Sequence, residues 1–482
     1  MLKSSISAVG LLGILQLMHF WGFHPQNVAL TVSSPGVFTL TANPEPDGTF
    51  NGFDIYFVNH PPRSLIHCVG ENYDQDRSWL FRSCEYETLC VDIDTYEFVT
   101  FRDLPLQLPG DWWSSTHMSR NETAVAGGSQ PRTWFPVVAQ SLSRNWTTRV
   151  GQFRPYIAYK YAPSGYYRFN ATMLPFYRHP TSFRNPGHLL WDDFLPLYNL
   201  LDMFDKLDSK LFLAHMRRPT TSEFQEPIRE TDIIKKFLPV MGDYHNYNVD
   251  ISKGFELKLK SNISKFKQNE NRVVCADYGL TGGGLLSDHG EFRWHGQTQG
   301  DYDLPHNTGR GGLFRRYRRF MMKNLGLDPD TKMEREPYQI LVSQSSSSKK
   351  TRSNITFSEH VEELNKGLGR RVNVIPVFMA RMGLREQIEL TSRTTVYITT
   401  AGGGSASAFF LPRGAHLIVF YWPYQFLDWD MWNNIPDIKV HWLPIWRDEN
   451  GTLQDLNLPK FVNLISRELD VIDAAYNRTK FV

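Results

Sequence analysis

TVYITTAGGGSASAFFLPRGAHLIVFY, residues 395–421, does more than any other stretch to place this chain in a structural class. Apolar runs at 396–400 and 415–421 read as buried strands, with a glycine turn at 401–405 and a short helix at about 405–411 between them. Glycines where a strand feeds a helix let the backbone approach a ligand closely, and they aim free N–H groups and the positive helix end at an anion. In doubly wound sheets, ligands bind beyond the carboxyl ends of the strands. Gly402, Gly403, Gly404 and Ser405 are therefore candidates for holding a phosphate-bearing nucleotide. The competing reading is a tight turn that holds nothing.

Around this stretch the pattern is regular. Strands at 338–342 and 372–378 alternate with helices at 358–368, opened by a serine cap, and at 383–390. Such alternation indicates a parallel, doubly wound sheet. The first of these strands runs into SQSSSSKKTRSNI, residues 343–355, which carries Lys349, Lys350 and Arg352. Arginine forks and lysine point charges at a strand's carboxyl end suit a pyrophosphate, and a solvated loop is the alternative. The polar segment LDPDTKMEREP, 327–337, marks a boundary between an N-terminal domain (51–330) and a C-terminal nucleotide-binding domain (331–425). In the tail, 426–482, Phe461, Leu464, Ile465, Leu469 and Ile472 form one helical stripe, expected to dock back on the first domain.

The first domain offers RNPGHLLWDDFLPLYNLLDMF, 184–204. At about 100° per residue, Leu190, Phe194, Leu197, Leu201 and Phe204 share a core face, and His188 and Asp192 lie together on the opposite one. An imidazole and a carboxylate at that spacing can hydrogen-bond and share general-base work. Asp193 borders the apolar face. The alternative is an exposed histidine beside two solvated acids. The loops of 278–319 hold His289, His295 and His306 at spacings that match no familiar metal site, so they read as structural or substrate-contacting. The D-x-D pairs Asp92/Asp94, Asp301/Asp303, Asp328/Asp330 and Asp428/Asp430 are a spacing that chance supplies easily. The basic run RGGLFRRYRRFMMK, 310–323, reads as a solvated helix face in preference to a phosphate-facing patch.

The whole chain, 482 residues with 41% hydrophobic and 21% charged residues, is an ordinary globular composition for about two to three domains. A net charge of +2 without a long basic arm gives no argument for a nucleic-acid partner, and none is expected. AVGLLGILQLMHFWGF, 8–23, follows Lys3 and is either a signal-anchor or a cleaved signal peptide. The expectation is a single-pass anchor within 1–30 and a stem over 31–50. The absence of Lys or Arg between Lys3 and Arg63 puts the bulk of the chain in the lumen. Sequons at Asn121, Asn145, Asn170, Asn262, Asn354, Asn450 and Asn477 suit a secretory protein. Cys68, Cys84, Cys90 and Cys275 suit two disulfides, with all three pairings open.

In chain order, NPGHLLWDDFLPLY, FRRYRRFMMKNLGL, ILVSQSSSSKKTRSNI and TTAGGGSASAFFLPRGAHLIVF resemble one glycosyltransferase family. It contains plant N-glycan β-1,2-xylosyltransferase, the xylan xylosyl- and arabinosyltransferases and the animal EGF-domain O-GlcNAc transferase. The resemblance covers roughly 180–422. It implies a GT-B-like α/β fold, two Rossmann-type doubly wound domains facing a cleft. It also implies a type II protein of the Golgi or endoplasmic reticulum membrane with a lumenal catalytic domain. The implied activity is inverting transfer of a sugar of the GlcNAc, xylose or arabinose class from a UDP-sugar to a glycan or protein hydroxyl. No metal and no cofactor beyond the UDP-sugar donor is expected. The family's G-H-x-x-x-D corresponds to Gly187, His188 and Asp192, with either of the last two as base and Asp193 as a substitute. Its diphosphate contacts correspond to Lys349, Lys350 and Arg352, and its glycine turn to Gly402, Gly403 and Gly404. The chain departs from the family in having Ala-Gly-Gly-Gly-Ser at the turn, and Gln344 and four serines where an arginine is common. The rival readings are an inactive lumenal glycan-binding protein on the same scaffold and a fucosyltransferase that uses a GDP-sugar.

Overall fold

The computed structural model describes residues 28–34, 37–42, 46–70, 82–93, 97–101, 133–134, 137–138, 152–153, 155–158, 162–176, 185–216, 232–249, 257–259, 273–282, 311–344, 357–421, 432, 435, 437–447, 453–454 and 457–479. Two sheets organise it. The first is a mixed sheet of 12 strands. Its principal members are β1 (Phe53–Val58), β2 (Leu65–Gly70), β3 (Arg82–Asp92), β4 (Glu97–Phe101), β5 (Tyr166–Phe176), β6 (Leu211–Met216), β7 (Tyr244–Val249) and β8 (Val273–Gly282). The centre is a parallel group in spatial order β7-β6-β5-β8. Counted along the chain that order is 3-2-1-4, the arrangement of the first strands of a Rossmann unit. A helical segment, α1, begins at Pro186 and ends with Leu195–Met203, making the crossover from β5 to β6. Helix α2 (Gly311–Asn324) follows β8.

The doubly wound expectation fails for the flanks of this sheet. β1 is antiparallel to the first half of β5, β3 is antiparallel to β8, and β2 and β4 are both antiparallel to β3. The reason is connection length: only 93–96 separate β3 from β4, whereas a parallel neighbour needs a crossover of about a dozen residues or more. The register also selects the disulfides. Cys68 faces Cys84 across β2–β3 and Cys90 faces Cys275 across β3–β8, and both pairs are bonded.

Sequence and structure agree on the second sheet. Its members are β9 (Tyr338–Ser343), β10 (Val372–Val377), β11 (Val396–Thr400), β12 (His416–Tyr421) and β13 (Lys439–Pro444). All neighbours are parallel, in the order β10-β9-β11-β12-β13. β9 and β11 are buried along their whole length, as strands covered on both faces must be. One face carries α3 (Ser358–Leu368), and the other carries α4 (Leu384–Ser392) and a 3₁₀ helix, Gly403–Phe410. The cap of α3 is Phe357 and not Ser358: burial among Phe420 and His360 holds Phe357 in the left-handed region at φ 54°.

Two further expectations are corrected. The tail helix α5 (Leu458–Thr479) does bury the stripe Phe461, Ile465, Leu469 and Ile472, but against α3 and the second sheet, not the first domain. That face of β9, β11 and β12 is apolar, and among the described residues α3 covers only part of it, so the exposed remainder takes the helix. At the other end, Val28–Ser34 and Val37–Ala42 pair as an antiparallel hairpin where the end of the anchor and the stem were expected. Their Val and Thr residues favour an extended backbone. Residues 8–23 lie outside the described residues, and no described helix is long and apolar enough to cross a membrane.

His360 on α3 packs against the rings of Phe357, Phe420 and Phe461. Burial pushes its pKa down to about 4. The unfolded chain therefore takes up a proton that the folded one refuses between about pH 6.5 and about pH 4, so this contribution to stability falls as the pH falls through that window. His360→Phe should remove one proton from the linkage and flatten the slope by up to ~1.4 kcal/mol per pH unit. Denaturant unfolding at a series of pH values measures it, and an unchanged slope would contradict the assignment.

Candidate functional site

Helix α1 is capped by Asn185, whose Oδ1 accepts the Gly187 backbone N–H at 2.9 Å, with Pro186 at the first helical position. After Pro186–His188 the chain forms a π-helical turn, Leu189–Phe194, before resuming as α-helix over Leu195–Met203. The Leu195 N–H reaches back to the Leu190 carbonyl, five residues away. Pro196 is the cause: it has no N–H for the carbonyl four residues earlier, and its ring would collide with that carbonyl in a regular helix. The Tyr317 hydroxyl adds a second bond to the Leu190 carbonyl, at 3.0 Å.

This turn alters the helical arithmetic. Each residue rotates less in an i→i+5 turn than in an α-helix, so residues 192 and 193 come round on either side of residue 188. Regular α-helical spacing therefore does not by itself choose between Asp192 and Asp193 as the neighbour of His188. His188 is half-buried, and the side chain of Asp192 lies outside the described residues. Asp193 is 1% exposed and lies deeper than a border position. Burial, then Tyr198, then Asp193 push the Tyr317 hydroxyl well above its ordinary range, so the Asp193 carboxylate sits in the aromatic interior beside that ring.

Trp191, fully buried, points the other way along the interface. Its ring lies 4.8 Å from Phe409 of the 3₁₀ helix, 5.8 Å from Phe314 of α2 and 5.6 Å from Trp432. One apolar core consequently runs from α1 through α2 to the underside of the second sheet.

That packing brings the glycine turn against the start of α1. A Cβ on Gly403 would stand 3.1 Å from Asn185 Oδ1 and 3.5 Å from Pro186 Cδ. Gly402 adopts φ 122° and ψ −163°, a conformation reserved for glycine. Ser405 is fully buried, and both its N–H (2.9 Å) and its hydroxyl (2.7 Å) donate to the Gly402 carbonyl, so it closes the turn from inside. Gly404 is exposed, and its carbonyl accepts the Tyr397 hydroxyl at 2.9 Å. Burial pushes that hydroxyl up to about 12, partly offset by Ser343 and Thr399.

Both sheets change direction at this place. In the second sheet, taken by itself, the order is 2-1-3-4-5, and the switch lies between β9 and β11, whose carboxyl ends are Ser343 and Thr400. In the first sheet it lies between β5 and β8, and the chain leaving β5 leads to Asn185. Lys349, Lys350 and Arg352 follow β9 and lie outside the described residues, as do His289, His295 and His306.

The basic helix keeps the solvated face expected of it, with Arg315, Arg316 and Lys323 exposed, and several of its arginines are paired with acids. Arg315 pairs with Asp437, Arg316 with Asp202 and Arg319 with Asp330. Arg318 is largely buried and donates to the carbonyls of Phe410 (3.1 Å) and Pro329 (2.8 Å), and burial lowers its pKa to about 10. The Asp328/Asp330 pair is a local turn, with Asp328 accepting the Asp330 N–H at 2.9 Å. Sequence reasoning missed Asn185 as a contact, Trp191 and Tyr317. Pro196 was the available sign of the π turn.

No protein-family model and no curated protein matches the chain. Among solved structures, the bacterial iron-containing dodecameric glycosyltransferase TibC from enterotoxigenic E. coli H10407 aligns over 75% of this chain and 79% of its own, at 13% identity and a TM-score of 0.23. A likeness that slight carries no argument, and the glycosyltransferase families named above rest on their motifs alone.

The two glycines should respond differently to a side chain. Gly403→Val drives methyl groups into Asn185 and Pro186 and should cost about 1–3 kcal/mol. Gly404→Ala meets only Ser343 and Thr399 oxygens at 3.9 Å and should be nearly neutral. Equal melting temperatures for the two variants would contradict the close approach.

Proposed function

We propose that the protein is a glycosyltransferase that binds the diphosphate of a UDP-sugar at the glycine turn and presents an acceptor hydroxyl from the α1 side. The observation that carries this reading is the contact of Gly403 with Asn185 and Pro186, which brings together the switch points of the first sheet's parallel centre and of the second sheet. Ligands bind at such points, and here one side is a backbone open to an anion and the other a helix start bearing His188. The motif resemblance supplies the chemistry.

In the proposed reaction the acceptor oxygen attacks the anomeric carbon of the donor sugar from the face opposite UDP. The new C–O bond forms as the bond to the β-phosphate oxygen breaks. His188 takes the acceptor proton, and UDP leaves with the bonding electron pair, giving inversion. The helix end and the cations Lys349, Lys350 and Arg352 would stabilise charge on the leaving diphosphate. Burial of Asp193 favours His188 over it as the base. The apolar run at 8–23, the sequons and the two disulfides support placement in an oxidising secretory compartment, with the chain anchored by its N-terminus.

Thermal shift of the purified protein against UDP, GDP and free phosphate tests the donor. UDP should raise the melting temperature with concentration, and Gly404→Val, at the exposed glycine, should abolish the shift without lowering the basal value. His188→Ala should leave the UDP shift intact and lower transfer by about 10²–10⁴-fold. A shift with no uridine nucleotide would sink the donor assignment, and unchanged transfer in His188→Ala would remove that residue from the mechanism.

A further inference from the structure

At the end of the second sheet remote from the glycine turn, the parallel register sets His416, the first residue of β12, beside Lys439, the first of β13. His441 lies two residues further along β13, on the same face as Lys439. That face lies under α5, which lowers Glu468 onto it between the core residues Ile465 and Leu469. His416 is 4% exposed and Glu468 2%. Nδ1 of His416 lies 3.4 Å from Glu468 Oε2, and Nε2 of His441 lies 3.8 Å from the same oxygen. Neither of these imidazole nitrogens makes a hydrogen bond, although both are buried.

We propose that His416, His441 and Glu468 form a binding site for a divalent transition metal of the zinc class, which ties the starts of β12 and β13 to α5. Two imidazoles and a carboxylate are a zinc donor set, with ligand distances of about 2.0–2.2 Å. A tetrahedron of that size has edges of roughly 3.4 Å. The spacings of 3.4 and 3.8 Å are close to it, and the three ligand atoms all lie within 4.8 Å of one another, so small ring rotations close the site. Burial keeps both rings neutral at pH 7, the form that coordinates. The carboxylate is already oriented from outside, because Arg467 donates to Glu468 Oε1 at 3.2 Å. The Lys439 ammonium, 2.6 Å from Oε2, pairs with the carboxylate oxygen that the metal would take. Its side chain is half exposed on a flexible stem and can swing into solvent when the metal enters. The apolar packing around the site and its distance from the glycine turn give the metal a structural role.

The test is titration of the untagged full chain, stripped with chelator, with Zn²⁺ by calorimetry and with Co²⁺ by visible absorption. The expected result is one strong site per chain, a tetrahedral Co²⁺ band and a rise in melting temperature with Zn²⁺. Glu468→Gln and His441→Gln should each weaken binding at least tenfold. Lys439→Met removes the competing cation and should tighten it severalfold, a gain that a purely structural ion pair does not produce. Because Glu468→Gln alone could unfold the chain, the Lys439→Met result stands as the independent measurement. Absence of a stoichiometric site in both the native chain and Lys439→Met overturns the proposal, as does binding that survives unchanged in folded His441→Gln.

Discussion

The indole of Trp191 is the contact on which the arrangement of this molecule depends. It is fully buried between Phe409 of the second sheet's 3₁₀ helix, Phe314 of α2 and Trp432. Aromatic rings of this size each bury about 150–250 Å², so this cluster alone gives the two sheets a shared apolar core. The cluster also sets distances several residues away. With Trp191 fixed, the short helical stretch that precedes it has little freedom to drift, and Asn185 stays against Gly403. The functional reading therefore rests on an interface that contains no catalytic group.

Electrostatics follow the same economy. The 3₁₀ helix Gly403–Phe410 has its carboxyl end at Phe410, where the carbonyl receives the Arg318 guanidinium. A cation is favoured there, because the unpaired carbonyls of a helix end carry partial negative charge. The complementary partial positive charge emerges at the amino end, in the glycine turn. One short helix thus has its negative end compensated by the Arg318 side chain and its positive end at the glycine turn. The neighbouring arginines neutralise Asp437, Asp202 and Asp330 and brace α2 against its surroundings.

How much of this was legible in the sequence depended on how local the cause was. The second sheet was readable because each strand, turn and helix announces itself within a few residues, and a helical crossover between successive strands leaves a parallel sheet as the solution. The first sheet was half readable. Its central strands follow the same logic, but the antiparallel flank depends on β3 pairing with β8, residues far apart in the chain, and no local pattern encodes that choice. The disulfide pairing was hidden for the same reason. At the site, the Asn-Pro-Gly cap and the glycine turn were visible as separate features. Their contact was not, because it depends on where Trp191 packs. The π turn could have been anticipated from Pro196; α-helical spacing still gave the buried face of Leu190, Phe194, Leu197, Leu201 and Phe204. The docking of α5 was misassigned because an amphipathic stripe specifies that it will be covered and not by which surface.

β3 carries one cysteine of each disulfide, Cys84 and Cys90. The Cys90–Cys275 bond spans a sequence separation of 185 residues, and β5, α1, β6 and β7 all lie inside that span. If the chain is pulled from its two ends, tension passes from Cys90 directly to Cys275 through the sulfurs. The enclosed loop, His188 and Trp191 among it, then lies off the line of force. While the disulfide is intact, stretching can add no contour length from that loop; once it is reduced, the same segment becomes part of the load-bearing path. The segment that carries His188 and the Asn185 cap is thus mechanically shielded in an oxidising environment and exposed to load in a reducing one.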